Sequence, residues 1–128
     1  MKKFLLLLLS LCLFSCVSTK QLESKVAADY GYTETTAILV GGEDYTDGPI
    51  YERAYLDKLT GPNGEEISYT RTGSCCQFET ENGIMGAGLL DIYEVSYEGL
   101  EEPLILYLNM YDPNPGATVA PRGLKLKS

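Results

Sequence analysis

The chain has 128 residues, of which 18 are acidic and 10 basic, for a formal charge of −8 at neutral pH. Such a balance works against nucleic acid and anionic lipid head groups as partners. It contains neither histidine nor tryptophan, which removes the commonest general base, the commonest metal ligand and the partner a serine hydrolase needs.

In chain order, Met1-Lys2-Lys3 is followed by an apolar run from Phe4 to Phe14. A cationic start, a short apolar middle and a small residue before a cut make an export signal. The run is about half the roughly 20 residues that a bilayer-spanning helix needs. Leu13-Phe14-Ser15-Cys16 resembles the lipobox of bacterial lipoproteins, in which the cysteine takes a diacylglyceryl group and a peptidase cuts before it. The resemblance implies that residues 1–15 are a signal peptide and that Cys16 is the lipidation site, carrying palmitate-type acyl chains. Two or three such chains hold a protein on a membrane stably, where one does not. Val17 stands where the family places the Asp that retains such proteins at the inner membrane. The expected address is therefore the bacterial cell envelope, lipid-anchored at the outer membrane and facing the periplasm or the cell surface.

Cleavage removes Lys2 and Lys3 but no acid, so the mature chain is more acidic still and meets the membrane through its lipid. Residues 16–34 read as the lipidated Cys and a flexible tether, because Val17 to Lys25 is polar and without pattern. Residues 35–128 are enough for one small domain with one core.

Within that domain, Thr35 to Val40 reads as a short buried strand stopped by Gly41-Gly42. Asp47-Gly48-Pro49 opens a helix over 49–59, because proline suits the first helical turn. Tyr51, Ala54, Tyr55 and Leu59 form its apolar face, with Glu52, Arg53, Asp57 and Lys58 elsewhere. Gly61-Pro62-Asn63-Gly64 is a tight turn, and Ile67 to Thr72 an extended segment. Gly73-Ser74-Cys75-Cys76 follows, then a polar loop through Asn82. The best-defined element is a hairpin of Leu89 to Tyr97 and Leu104 to Tyr111. Pairing Tyr97 with Leu104 gives one apolar face of Tyr93, Val95, Tyr97, Leu104, Leu106, Leu108 and Met110. Glu94, Ser96, Tyr107, Asn109 and Tyr111 take the other face. Beyond three prolines, Gly123 to Lys127 is a last edge strand. The sum is an α+β fold in which one helix covers one face of a small, mainly antiparallel sheet of about four or five strands.

The blocks Tyr69-Thr70-Arg71-Thr72-Gly73-Ser74-Cys75-Cys76 and Asp91 to Gly99, with Leu106 to Asp112 after them, resemble a group of small, largely uncharacterised bacterial lipoproteins over roughly residues 38–124. Some of that group carry the label 2-dehydro-3-deoxyphosphooctonate aldolase. That activity belongs to a (β/α)₈ barrel of about 250 residues, which a chain of this length with one expected helix does not build. The resemblance therefore implies an envelope lipoprotein rather than the labelled enzyme.

Cys75-Cys76 is the chemically pointed feature of the domain, since Cys12 leaves with the signal and Cys16 is committed to lipid. Three states are open to the pair in an oxidising compartment: unpaired structural thiols, a vicinal disulfide, or metal and intermolecular pairing. Adjacent Cα atoms stand about 3.8 Å apart across a trans peptide, closer than in ordinary disulfides, so a vicinal bridge is strained and easily reduced. Two adjacent thiols without an imidazole do not make a closed zinc site, and no metal or cofactor is expected. The acidic stretch Glu43 to Gly48 lacks the spacing and closing Glu of a calcium loop and reads as a solvated turn. Tyr107 and Tyr111, on the hairpin's more polar face, offer either cross-strand packing or a surface for a glycan or peptide. No catalytic set emerges. The leading expectation is a non-enzymatic module that binds or scaffolds an envelope protein or glycan, and the alternative is a thiol–disulfide protein using Cys75 and Cys76.

Overall fold

A computed structural model describes residues 26–116 and 118–128. The signal, Cys16 and most of the tether lie outside the described residues. Among those described, no helix is long and apolar enough to cross a membrane.

Strand β1 spans Ile38–Gly41, helix α1 Gly48–Leu56, and strands β2 to β6 span Leu59–Thr60, Ile67–Ile84, Ala87–Tyr97, Leu104–Pro113 and Lys125–Leu126. Four strands form one sheet in the order β1-β5-β4-β3, and β2 pairs with β6 in a second, two-stranded sheet. The β3-β4 and β4-β5 pairs are antiparallel, and β1 joins β5 in parallel. This is the expected α+β fold of one helix and a mainly antiparallel sheet, and no (β/α)₈ barrel.

In the β4-β5 hairpin, Val95 pairs with Leu104, Tyr93 with Leu106 and Asp91 with Leu108. The ladder is two residues away from the expected Tyr97-Leu104 pairing. A shift of two keeps every side chain on its face, so the apolar face stands as read. The last residues of β4 run past this ladder and pair only on its other edge, with β3, Tyr97 opposite Ile67 and Ser96 opposite Ser68.

That apolar face meets α1. Tyr55 and Leu56 of the helix pack with Ile38, Leu59, Tyr93, Val95, Leu106, Leu108 and Leu124. Ile38, Leu56, Leu59, Val95, Leu106 and Leu108 are fully buried, each contributing about 1.5–3 kcal/mol by leaving water. The helix sits so close to β5 that a Cβ on Gly48 would stand 2.4 Å from Met110 Sδ, so any larger residue there would have to displace the Met110 side chain. α1 ends at Leu56, short of the expected Leu59, which instead starts β2. Its buried face is Gly48, Glu52, Tyr55 and Leu56, rotated from the expected one: Ala54 is exposed and Glu52 lies inside.

Two further boundaries differ. β1 begins at Ile38 because Glu34–Thr36 forms a 3₁₀ turn, with the Thr33 and Thr36 hydroxyls 2.6 Å apart. Residues 26–34, expected in the tether, fold onto the domain. The Gly31 carbonyl accepts from Tyr107 N at 2.8 Å, the Val26 carbonyl accepts from Arg122 Nε at 3.0 Å, and Tyr30 and Tyr32 lie against the core. At the other end, the expected 123–127 edge strand contracts to β6, whose Leu126 lies opposite Leu59.

The largest departure is β3. The extended segment expected to stop at Thr72, and the polar loop expected after Cys76, are strand through Ile84, joined to β4 by a two-residue turn of Met85 and Gly86 with φ of 56° and 77°. Two positive φ values in succession match the right-handed twist of the paired strands. Glycine adopts one at no cost, and methionine tolerates the other at about 1–2 kcal/mol.

Candidate functional site

β3 pairs only with β4 and so forms one edge of the four-stranded sheet. Its ladder is broken by bulges, and these decide where its polar side chains go. Arg71 lies opposite Tyr93 and Gly73 opposite Ile92, so Thr72 is an extra residue. An extra residue shifts the alternation by one, which turns both Arg71 and Ser74 toward Asp91. Arg71 Nη2 donates to Asp91 Oδ1 at 2.8 Å, Ser74 Oγ lies 3.0 Å from the same oxygen, and Arg71 also donates to Ser74. Asp91 is nearly buried while Arg71 remains half-exposed.

Behind Asp91, on the α1 side, Tyr93 donates its hydroxyl to Glu52 Oε2 at 2.8 Å. Glu52 is fully buried, and its second oxygen, Oε1, has no hydrogen-bond partner among the described residues. Burial pushes the Glu52 carboxyl up to about 8; Tyr93's hydrogen bond opposes this and the nearby Asp91 charge adds to it. At neutral pH Glu52 is therefore largely a neutral acid, whose proton satisfies the second oxygen by donation toward Asp91. Burial, followed by the Glu52 contact, also raises the Tyr93 hydroxyl well above its usual range. Glu52, Tyr93 and Asp91 are closed off from solvent, and their chemistry is that of a core polar network with Arg71 and Ser74 at its outer rim.

The second bulge carries the cysteines. Cys75 lies opposite Leu90 and Phe78 opposite Gly88, so Cys76 and Gln77 share one partner residue. Cys76 takes φ 65°, the left-handed conformation usual for the first residue of such a bulge but normally filled by glycine. Cys75 and Cys76 are joined by a disulfide with their Cα atoms 3.7 Å apart. Of the three states open in the sequence, the structure has the vicinal bridge. Both residues are half-buried, within reach of solvent on the sheet's edge.

A third group joins them. A carboxylate oxygen of exposed Glu34 and the two cysteine sulfurs lie within 4.8 Å of one another, the one such cluster of three potential metal donors among the described residues. Glu34 comes from the turn leading into β1, whereas the cysteines sit on β3 at the opposite edge. Nothing in the local sequence marks it, because its neighbour is set by tertiary structure.

The remaining sequence candidates resolve differently. Tyr111 packs its ring edge-to-face on Phe78 at 5.9 Å between centroids, which is cross-strand packing. Among the described residues, Tyr107 joins no aromatic pair, so the two tyrosines do not stack into one platform. In the acidic stretch, Asp44 Oδ1 accepts from Thr46 N at 2.9 Å and Thr46 Oγ1 at 2.6 Å, as in a solvated turn. Asp112 closes a further polar cluster, accepting from Thr80 and Asn82 on β3 and from Asn109 on β5. Its carboxyl is desolvated, yet the three donors outweigh this and hold it below the usual range.

No protein-family model, curated protein sequence or solved structure matches the chain.

Proposed function

We propose that this chain is a lipid-anchored protein of the bacterial cell envelope, held through Cys16, whose domain is a non-enzymatic binding module governed by the Cys75-Cys76 thiol–disulfide couple. The observation that carries this reading is the bridge between adjacent cysteines, half-exposed on an edge strand. A bridge over one peptide bond contributes little to stability, because it closes almost no loop in the unfolded chain. It is also strained by its short Cα separation, and strained, accessible disulfides are the labile and regulatory ones. The bland role of a structural staple thus fits it poorly.

The envelope address is supported by the lipobox-like Leu13-Phe14-Ser15-Cys16, with the outer membrane favoured by Val17 and the partner an envelope protein or glycan. An exported chain meets an oxidising compartment, in which such a bridge forms and persists. The aldolase label attached to some similar lipoproteins draws no support from a four-stranded sheet with one helix, and phosphoenolpyruvate with arabinose 5-phosphate should give no condensation product.

The test is a redox titration of the full chain in thiol–disulfide buffers, read by alkylation and mass. The protein should pass from no to two alkylatable thiols in the domain while staying folded. A bridge that opens only on unfolding, or two thiols free in every buffer, would overturn the proposal.

A further inference from the structure

The disulfide accounts for the two sulfurs but not for the carboxylate beside them. The turn that carries Glu34 is held in place without help from the cysteines. The Thr33 and Thr36 hydroxyls meet at 2.6 Å, Thr36 Oγ1 donates to the Asp29 carbonyl at 2.6 Å, and Gly31 N donates to the Thr36 carbonyl at 2.7 Å. The turn is in turn fixed to β5 through Tyr107 N and the Gly31 carbonyl. The backbone that presents the Glu34 side chain therefore keeps its place when the bridge opens.

Opening the bridge takes two electrons and two protons from an external dithiol, which is itself oxidised to a disulfide, and leaves two thiols facing Glu34. Three donor atoms then stand together: two sulfurs and one oxygen. With no cation present, removing both thiol protons would gather three negative charges within 4.8 Å, which holds the thiols protonated. A divalent cation reverses this balance, displacing both protons and leaving one net negative charge. Ligand atoms around a tetrahedral zinc ion, with bonds of about 2.3 Å to sulfur and about 2.1 Å to oxygen, stand about 3.5–4 Å apart. Within the bridge the sulfurs stand 2.01 Å apart and the Glu34 oxygen lies within 4.8 Å of both, so once the bond is broken the sulfurs must part by about 2 Å and the carboxylate close by up to about 1 Å, movements within reach of side-chain rotation. Thiolate donors select soft and borderline ions, and three protein ligands leave a fourth position open to water or a further ligand.

We propose that Cys75, Cys76 and Glu34 form a redox-gated site for a thiophilic divalent cation of the zinc or cadmium class. The reduced protein takes the ion. Oxidation to the vicinal bridge, with two electrons passing to an envelope disulfide or other oxidant of that class, removes both thiolate ligands and releases it. The inference rests on the thiol–disulfide reading above and adds the ligand that the reduced state recognises.

The experiment uses the mature protein extracted from membranes, without Cys12 and with Cys16 acylated, held in detergent, fully reduced with a non-thiol phosphine, freed of reductant and titrated with Cd²⁺. Sulfur-to-cadmium charge-transfer absorbance should saturate at one ion per chain, with two protons released per ion. Glu34→Gln should keep that absorbance but weaken binding at least tenfold, whereas Glu101→Gln, at another exposed carboxylate, should bind as wild type. Cys76→Ser should abolish stoichiometric binding. Addition of a disulfide oxidant should release the ion and restore the bridge. A reduced protein that counts two thiols but shows no saturable absorbance overturns the metal site and leaves the thiol–disulfide reading standing. Wild-type affinity in Glu34→Gln overturns the assigned donor set. If no thiols are counted after reduction of the folded protein, both readings fall.

Discussion

Two glutamates of this domain meet opposite fates. Glu52 sits on the buried face of α1, loses all contact with water and holds its proton at neutral pH. Glu34 sits on an exposed turn, brought beside the two sulfurs of β3 by the way the chain folds over its sheet. The comparison separates what a carboxyl does for the fold from what it offers to chemistry. A buried carboxyl needs its proton and its Tyr93 partner to be tolerated, so it ties stability to pH; a carboxylate in reach of solvent costs the fold little and is free to meet a cation. Cys75 and Cys76 stand on the second side of this divide, while Asp91, one strand away, is nearly buried and belongs to the first.

The sharpest way to break the comparison is a pH series. Glu52 titrates near 8 when folded and near its ordinary value, about 4.3, when unfolded. In that window the native state binds the extra proton, so stability is full below it and falls as pH rises, by up to about 1.4 kcal/mol per pH unit. Urea midpoints measured across pH 4 to 9 should show this fall. Glu52→Gln, whose amide can accept from Tyr93 and donate toward Asp91 without titrating, should flatten it; an unchanged slope would remove Glu52 from its assigned role. Arg71→Ala comes next. It leaves nearly buried Asp91 with Ser74 alone, at a cost of about 2 kcal/mol, read as a lower urea midpoint at neutral pH. The smallest effect is expected from the disulfide. Reducing it, or replacing Cys75 by Ser, should change global stability by about 1 kcal/mol or less, in contrast to the buried network a few residues away. A larger loss would make the bridge a staple after all.

Much of the fold was legible because it rests on alternation. The apolar face of β4 and β5 follows from residues two apart, and it survived a ladder misplaced by one pair because a shift of two leaves the faces alone. Tyr55 could be assigned to the core by its spacing. Glu52 could not, because a hydrophobic pattern reads an acid as outward-facing, and only the depth of the groove between α1 and the sheet, with Tyr93 waiting in it, decides otherwise. β3 was missed beyond Thr72 because its polar residues and glycines look like loop, while a partner strand and two bulges make them strand. The cysteine pair was legible from its adjacency alone, its state was not, and Glu34 was invisible, since nothing in sequence ties a turn before β1 to the far edge of the sheet. The lipobox-like cysteine needs no fold to be read.

The proposed protein is an envelope-anchored domain carrying a reducible vicinal bridge. The most direct measurement is the intact mass of the protein extracted from membranes, alkylated before and after reduction. The chain should begin at an acylated Cys16 and gain two alkyl groups, at Cys75 and Cys76, only after reduction. An unprocessed chain still beginning at Met1, or two thiols already free in cells under oxidising growth, would contradict it.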